Sequence, residues 1–146
     1  MGVSADFRVT CAEGRFSSNF TRLGFHPGFG LTVTLPELLG KQRASWMCLS
    51  SCRIKGEQAY EWGLADRFVP LAQVRESALE MAADLAGCAP LALTSTRATL
   101  RKGLAERVRQ QTDHELSEQN QLRTTSDWLE GTKAVAERRE PVFQGR

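Results

Sequence analysis

Residues 19–40 read NFTRLGFHPGFGLTVTLPELLG and decide the fold of this chain. An apolar segment meets the turn Pro27–Gly30, and a run with the spacing of a helix follows from Leu31. Gly28 and Gly30 tolerate positive φ angles and let another backbone or a ligand approach closely. The stretch therefore predicts a pocket wall that is lined by backbone.

Length and composition indicate one folded domain. The chain has 146 residues, of which 41% are hydrophobic and 25% are charged, as in ordinary soluble proteins. No apolar run approaches the roughly 20 residues that span a bilayer, and the N-terminus lacks a basic region followed by an apolar one. We therefore expect a cytoplasmic protein and no membrane partner, with an organelle address on a missing N-terminal segment as the open alternative.

Charge and cysteine content limit the classes of partner. The net charge of +2 does not predict a nucleic-acid partner. The densest basic segment, Arg97–Arg109, is interpreted as a solvated helix face, with attraction of a phosphate-bearing ligand or of nucleic acid as alternatives. The 4 cysteines form no CxxC pair and are expected to be reduced and buried, so no metal site is predicted. His114–Glu115 lacks the second histidine of a metalloprotease signature and is assigned to the helix surface.

The residue pattern predicts short strands followed by helices. Residues 6–11 alternate apolar and polar side chains like a strand, residues 16–23 are extended, and residues 24–30 form a loop. The predicted helices cover residues 31–39, 41–50, 56–62, 71–86, a segment starting at Pro90, residues 104–123 and a last segment near residue 127. Between these helices, residues 67–70 are expected to be extended.

Three of these helices carry more specific predictions. Helix 41–50 should send Ala44, Trp46, Met47 and Leu49 toward a core, and helix 71–86 should bury a stripe of Leu71, Val74, Ala78, Ala82 and Leu85. Helix 104–123 carries a thin stripe of Val108, Thr112, Leu116 and Gln119, which suggests packing against one neighbour, another subunit among the options. Asp127 and Glu130 fit a capping arrangement for the last helix.

Several segments resemble, in order and spacing, the second half of enzymes of the enoyl-CoA hydratase/isomerase (crotonase) family. They are DFRV at 6–9, Phe16 with LGFHPGFG at 23–30, RIKGEQA at 53–59, WGLAD at 62–66 with VP at 69–70, APLA at 89–92 and ERREPVF at 137–143. Together they cover essentially the whole chain.

The resemblance implies an α/β fold of the ClpP/crotonase type, truncated to its C-terminal half. Residues 1–70 would form the C-terminal part of the β-β-α core, and residues 71–146 a helical region that makes trimer contacts. It also implies a homo-oligomer, as a trimer or a dimer of trimers, or association with a full-length homologue. With most of the family's sheet missing, the strand at residues 6–11 should keep an unpaired edge and make the isolated chain poorly soluble.

The resemblance implies a coenzyme A thioester as substrate, without a separate cofactor, and an enolate-like intermediate held by two backbone N–H groups. In relatives that hydrate a double bond, two glutamates move the protons. One glutamate and both amides would precede Met1, and the second falls on Phe20, with Asn19 where proline is common. Because a phenyl ring cannot move a proton, this chain alone is not expected to be a hydratase.

His26 is the nearest titratable candidate for a catalytic group, with Arg22 behind it; the alternative is a loop histidine that binds its neighbours. The resemblance implies a substrate-binding wall of Phe20, Phe25, Pro27, Gly28 and Phe29, although the three phenylalanines would serve equally as core residues.

Phe143 and Arg146 match family positions that lie against the adenine and phosphate of coenzyme A, and Lys133 is a weaker candidate. The alternative for these residues is a frayed tail. Ser51–Cys52 replaces the family's usual Gly-Arg, and losing a glycine where a helix stops costs about 1 kcal/mol.

Two functions follow. The first is an acyl-CoA-binding protein with isomerase-like or lyase-like chemistry, once the missing half is supplied. The second is a non-catalytic pseudoenzyme or assembly module that joins trimers of full-length homologues.

Overall fold

A computed structural model describes residues 2–146 of the chain. The strands are β1 (Val9–Thr10), β2 (Arg15–Ser17), β3 (Arg53–Lys55) and β4 (Arg67–Phe68). The helices are α1 (Leu31–Ser50), α2 (Gly56–Glu61), α3 (Val74–Ala86), α4 (Pro90–Leu100), α5 (Leu104–Leu122) and α6 (Ser126–Glu137). Single 3₁₀ turns lie at Gly2–Ser4, Thr21–Leu23 and Leu71–Gln73. β1 and β2 precede the helices, as predicted, and β4 lies in the segment that was expected to be extended. β3, between α1 and α2, was not predicted. The boundary at residue 70 remains a prediction.

The strands form two small pairs. β1 runs parallel to β4, with Val9 opposite Arg67, and β2 runs antiparallel to β3, with Phe16 opposite Ile54. The strand predicted over residues 6–11 is shorter than expected, and Phe7, before it, is 50% exposed. The extended segment predicted over residues 16–23 ends at Ser17, because the chain turns into the 3₁₀ turn Thr21–Leu23.

Helix α1 supplies most of the core. Gly40 interrupts it with a φ of 72° and a ψ of 160°, so the predicted break at this glycine is confirmed. The buried core side chains are Leu35, Leu39, Ala44, Met47, Ile54, Ala59 and Leu64. Trp46 and Leu49 were expected inside but are 61% and 75% exposed, because helical spacing turns them away from the face that carries Ala44 and Met47.

Ser51 ends α1 in the left-handed conformation, with a φ of 52°, where glycine would be unstrained. Its buried hydroxyl lies 2.6 Å from the Thr21 hydroxyl, accepts a hydrogen bond from the Arg22 amide at 3.2 Å and lies 3.2 Å from the Ser18 carbonyl oxygen. The side chain that strains the backbone here therefore also joins α1 to the segment before the loop.

The apolar side of α3 and α4 is exposed. Within α3, whose residues are all described, only Ser77 is buried, and the predicted stripe with Leu71 and Leu85 faces solvent. On α4, Leu91 is 87% exposed. The prediction of a buried stripe on residues 71–86 is therefore wrong for this chain, because a helical pattern identifies an apolar face but not what covers it. None of the helices between residues 2 and 146 is long and apolar enough to cross a membrane.

Helix α6 packs closely on the 3₁₀ turn that precedes the loop. A Cβ atom at Gly131 would lie 2.5 Å from the carbonyl carbon of Leu23, so only glycine allows this approach. The cap of α6 is Thr125, whose Oγ1 accepts a hydrogen bond from the Trp128 amide at 3.2 Å. The predicted capping pair, Asp127 with Glu130, is wrong.

Candidate functional site

The loop at residues 24–30 lies against α5, and a carboxylate of α5 fixes the point where this loop becomes α1. Glu115 is 1% exposed and accepts hydrogen bonds from the Gly30 amide at 2.8 Å, the Thr32 amide at 3.2 Å and the Thr32 hydroxyl at 2.7 Å. Gly30 is the N-cap of α1 and has no side chain to offer. Glu115 therefore caps α1 from another helix and places its negative charge at the positive end of the helix dipole.

The assignment of His114–Glu115 to the helix surface is wrong for Glu115, whereas His114 is exposed. The face of α5 that meets the loop carries Val108, Glu115 and Gln119, and Leu116, which was expected there, is exposed. The sequence held two signs of this role. Glu115 continues the stripe of Thr112 and Gln119 at helical spacing, and α1 begins at Gly30, which has no side chain to cap it.

Two further contacts press the loop onto α5. The Gln119 side chain donates to the His26 carbonyl oxygen at 3.0 Å, and a Cβ atom at Gly28 would lie 2.6 Å from the same amide nitrogen. Gly30 has a φ of 67°, and a Cβ atom there would lie 2.8 Å from a methyl carbon of Val108. Both glycines are thus closely approached, but by side chains of α5 rather than by the backbone or ligand that the sequence predicted.

The three phenylalanines of this region come together. The rings of Phe20 and Phe25 stack with centroids 6.5 Å apart, and the ring of Phe29 lies 6.5 Å from that of Phe20. The guanidinium of Arg123 covers Phe25 at 5.4 Å from its centroid. Phe20 and Phe25 are half-buried, as are core residues, but Phe29 is 78% exposed and has a φ of 62°. Pro27 and Gly28 of the same loop are buried.

His26 is half-buried beside the aromatic cluster. Its Nδ1 lies 2.7 Å from the Pro27 carbonyl oxygen, and its ring meets that of His114 edge-on at 6.2 Å. An Nδ1–H that donates to this carbonyl leaves Nε2 as a proton acceptor in the neutral ring. The contact agrees with both sequence interpretations. Arg22, expected behind the histidine, instead pairs with Glu140 at 3.5 Å.

The C-terminal tail is fastened to α6 by backbone atoms. The Asp127 carboxylate accepts hydrogen bonds from the amides of Gln144 and Gly145, each at 2.7 Å. Glu130 accepts from the Val142 amide at 2.8 Å and pairs with Arg139. The Arg139 side chain and then the Val142 amide lower the pKa of Glu130 to about 2. The tail therefore differs from the frayed end that the sequence left open.

The residues predicted to bind coenzyme A are divided between the C-terminal tail, which holds Phe143 and Arg146, and α6, which holds Lys133. Arg146 accepts hydrogen bonds through its carbonyl oxygen from the Asp127 amide, at 3.1 Å, and from the Ser126 hydroxyl. Phe143 is exposed in the same tail, near the start of α6. Lys133 lies further along α6, where its ammonium pairs with Glu137 at 4.0 Å.

Ion pairs balance the basic segment Arg97–Arg109. Arg97 pairs with Asp6 at 3.0 Å, and Arg107 pairs with Glu37 at 2.6 Å. The hydrogen bond from Arg97 is the main reason why the pKa of Asp6 is lowered. These contacts tie the N-terminal segment to α4 and α1 to α5, so the segment holds helices together.

The family whose description is Enoyl-CoA hydratase/isomerase matches the chain over residues 1–146. The chain belongs to this family. The carnitinyl-CoA dehydratase of Salmonella heidelberg (strain SL476) is 33% identical to this member over 150 residues, which take in 100% of the chain and 58% of the relative. The structure of a carnitinyl-CoA hydratase from Mycobacterium avium superposes with a TM-score of 0.91 at 25% identity, over 99% of the chain and 57% of that protein.

The enoyl-CoA hydratase/isomerase from Pseudoalteromonas atlantica T6c shows the same fold, with a TM-score of 0.88 at 22% identity over 98% of the chain and 58% of that protein. The chain thus spans 58% of the length of the relatives it matches. The expectation of a match to the C-terminal half only is wrong in part, because the matched region exceeds half of the relative and is not specific to that half.

Proposed function

We propose that this family member binds an acyl-CoA thioester and lays its acyl group against Phe20, Phe25 and Phe29. The observation that carries the proposal is Phe29, which is 78% exposed and adopts a φ of 62°. A bulky side chain in the left-handed region is strained, and such strain is concentrated at binding sites. An aromatic ring held in solvent beside two others is an apolar contact surface that an acyl chain would cover.

The relatives support the substrate class. The Salmonella relative is named a carnitinyl-CoA dehydratase, and the Mycobacterium avium protein a carnitinyl-CoA hydratase. Addition or loss of water next to a thioester requires a side chain that gives up or accepts a proton. The phenyl ring of Phe20 cannot do so. We assign that task to His26, whose Nε2 is free when Nδ1 donates to Pro27. Pro27 and Gly28 would form the base of the site.

We place the nucleotide end of coenzyme A near Phe143 and Arg146, with Lys133 as a weaker contact. Support comes from α6, which meets both the tail and the segment that leads into the loop. Gly131 packs on Leu23, and Asp127 holds the amides of Gln144 and Gly145. An exposed aromatic ring suits an adenine, and a guanidinium suits a phosphate.

A second candidate is an assembly role without catalysis, and the exposed apolar face of α3 and α4 favours it. Leu85 of α3 and Leu100 of α4 line one shared, largely apolar surface, and Leu79 and Leu91 are exposed elsewhere on these helices. Apolar surface of this kind marks interaction sites in soluble proteins. The partner would be further copies of the chain, as a trimer or a dimer of trimers, or a full-length homologue.

Calorimetric titration with crotonyl-CoA and with free coenzyme A tests the first proposal. We expect Phe29→Ala to weaken crotonyl-CoA binding about tenfold and to leave free coenzyme A unaffected. Phe7→Ala is the matched control, since it removes an exposed phenylalanine far along the chain from the loop. Equal affinities of the original chain and the Phe29 variant would refute the acyl site. Absence of any binding, together with complex formation with a full-length homologue, would favour the assembly role.

A further inference from the structure

A cavity of about 210 Å³ lies between the Gly2–Ser4 turn, β2 and α1. Its floor is apolar and includes Phe16, Leu35, Met47 and Leu64. Arg8, Arg15 and the buried Ser18 also line it. None of the three phenylalanines of the aromatic cluster lines it, so this cavity is separate from the proposed acyl site.

Arg8 brings a positive charge that carbonyl groups hold in place. Its Nε donates to the Leu64 carbonyl oxygen at 2.5 Å, and its Nη1 donates to the Ala5 carbonyl oxygen at 2.7 Å. No carboxylate among residues 2–146 forms an ion pair with this side chain. Neutral carbonyls fix the position of a guanidinium without cancelling its charge, so Arg8 is preorganised for an anion.

Arg15, which also lines the cavity, repeats this arrangement. Its Nη1 donates to the carbonyl oxygens of Ala12 at 2.8 Å and Gly14 at 2.7 Å. In the described part of the chain it too forms no ion pair, and its Nε and Nη2 are not used in these bonds. Arg8 and Arg15 thus offer unused N–H donors beside one apolar cavity.

Ser18 supplies an independent sign of a missing polar partner. The residue is 1% exposed, and its Oγ is the one buried side-chain nitrogen or oxygen atom without a hydrogen-bond partner among the described residues. Its polar neighbour is the Cys48 thiol, which is a weak partner for a hydroxyl. A buried hydroxyl is normally satisfied, and Ser18 is among the residues that line this cavity, so a polar atom of a ligand there would supply the partner that its Oγ lacks.

We propose that this cavity binds a short-chain aliphatic carboxylate. The carboxylate would pair with Arg8 and Arg15, and the alkyl chain would lie on Phe16, Leu35 and Met47. A guanidinium matches a carboxylate with two parallel hydrogen bonds. At about 30 Å³ per non-hydrogen atom, the volume of a water molecule in the liquid, the cavity holds roughly seven such atoms. Carboxylic acids of five and six carbons have about this size.

The test uses hexanoate as the probe and hexan-1-ol as its neutral counterpart, with binding measured by ligand-observed NMR on the full chain. We expect hexanoate to bind at least about tenfold more tightly than hexan-1-ol. We expect Arg15→Gln to weaken hexanoate binding about tenfold, because Arg15 is exposed and contacts only neighbouring carbonyls. Arg53→Gln removes the same charge from an exposed position of β3 outside the cavity and should leave binding unchanged.

Three results would overturn the proposal: no saturable binding of hexanoate, equal binding of hexan-1-ol, or equal weakening in the Arg15 and Arg53 variants. Loss of hexanoate binding in Phe29→Ala would also overturn it, since the probe would then occupy the aromatic cluster. Circular dichroism shows whether each variant folds. If Arg15→Gln does not, the comparison of hexanoate with hexan-1-ol on the unaltered chain decides the question.

Discussion

Glu115→Gln turns one oxygen of the carboxylate that joins α5 to the start of α1 into an NH₂ group. One carboxylate oxygen accepts from the Gly30 amide at 2.8 Å, and the other accepts from the Thr32 amide and hydroxyl. Glutamine keeps the size and one acceptor oxygen but places an NH₂ group against a buried N–H of Gly30 or Thr32. One charge-assisted bond is lost, and one buried donor is left without a partner.

The structure sets the size of this effect. A hydrogen bond to a charged group contributes about 1.5–3 kcal/mol. Removing a negative charge from a helix N-terminus costs roughly 0.3–1 kcal/mol more. We therefore expect Glu115→Gln to lower the free energy of unfolding by about 2–4 kcal/mol. Glu115→Ala removes all three bonds and should cost more.

Urea denaturation followed by circular dichroism measures both variants. The matched control is Glu118→Gln, on the same helix and outside this hydrogen-bond group, which should change the free energy by no more than about 0.5 kcal/mol. Thr32→Val tests the second half of the contact and should cost about 1–2 kcal/mol. If Glu115→Gln stays within about 0.5 kcal/mol of the original chain, the carboxylate does not cap α1 and the reasoning fails.

Three further predictions concern the end of α1, the tail and the histidine. Ser51→Gly relieves about 1 kcal/mol of backbone strain but loses hydrogen bonds worth about 1 kcal/mol each, so it should unfold at a lower urea concentration than the original chain. Ser51→Ala keeps the strain and should unfold at a lower concentration still. A stabilised glycine variant would contradict this. The pKa of Glu130 is about 2 in the fold against 4.5 ordinarily, so its contribution is present above pH 4.5 and lost as the pH falls toward 2. The NMR chemical shift of the Val142 amide should follow the protonation of Glu130. A midpoint near pH 4.5 would show that the tail contacts do not lower the pKa of Glu130. In a preparation that turns over crotonyl-CoA, His26→Ala should lower kcat by more than about 100-fold and His114→Ala by little; an unchanged rate would remove His26 from the mechanism.

The sequence predicted those features that depend on local backbone chemistry. Gly28 and Gly30 were identified because positive φ favours glycine; Gly30 adopts it, whereas Gly28 does not. The aromatic cluster was found because its members lie close together in the sequence, at positions 20, 25 and 29. Glu115 was missed because it acts on Gly30 across 85 positions of sequence, and the pattern of α5 does not reveal which element it meets. Trp46 was misplaced for a related reason: apolar character alone does not fix the direction of a side chain on a helix.

The fastening of the tail has a practical consequence for experiments on coenzyme A. Asp127 and Glu130 hold the amides of Val142, Gln144 and Gly145, and none of these bonds uses a tail side chain. Any residue other than proline supplies the same N–H. The side chains at positions 143 and 146 therefore do not hold the tail in place. Alanine at either position removes a proposed contact with the ligand while the tail keeps its attachment to α6.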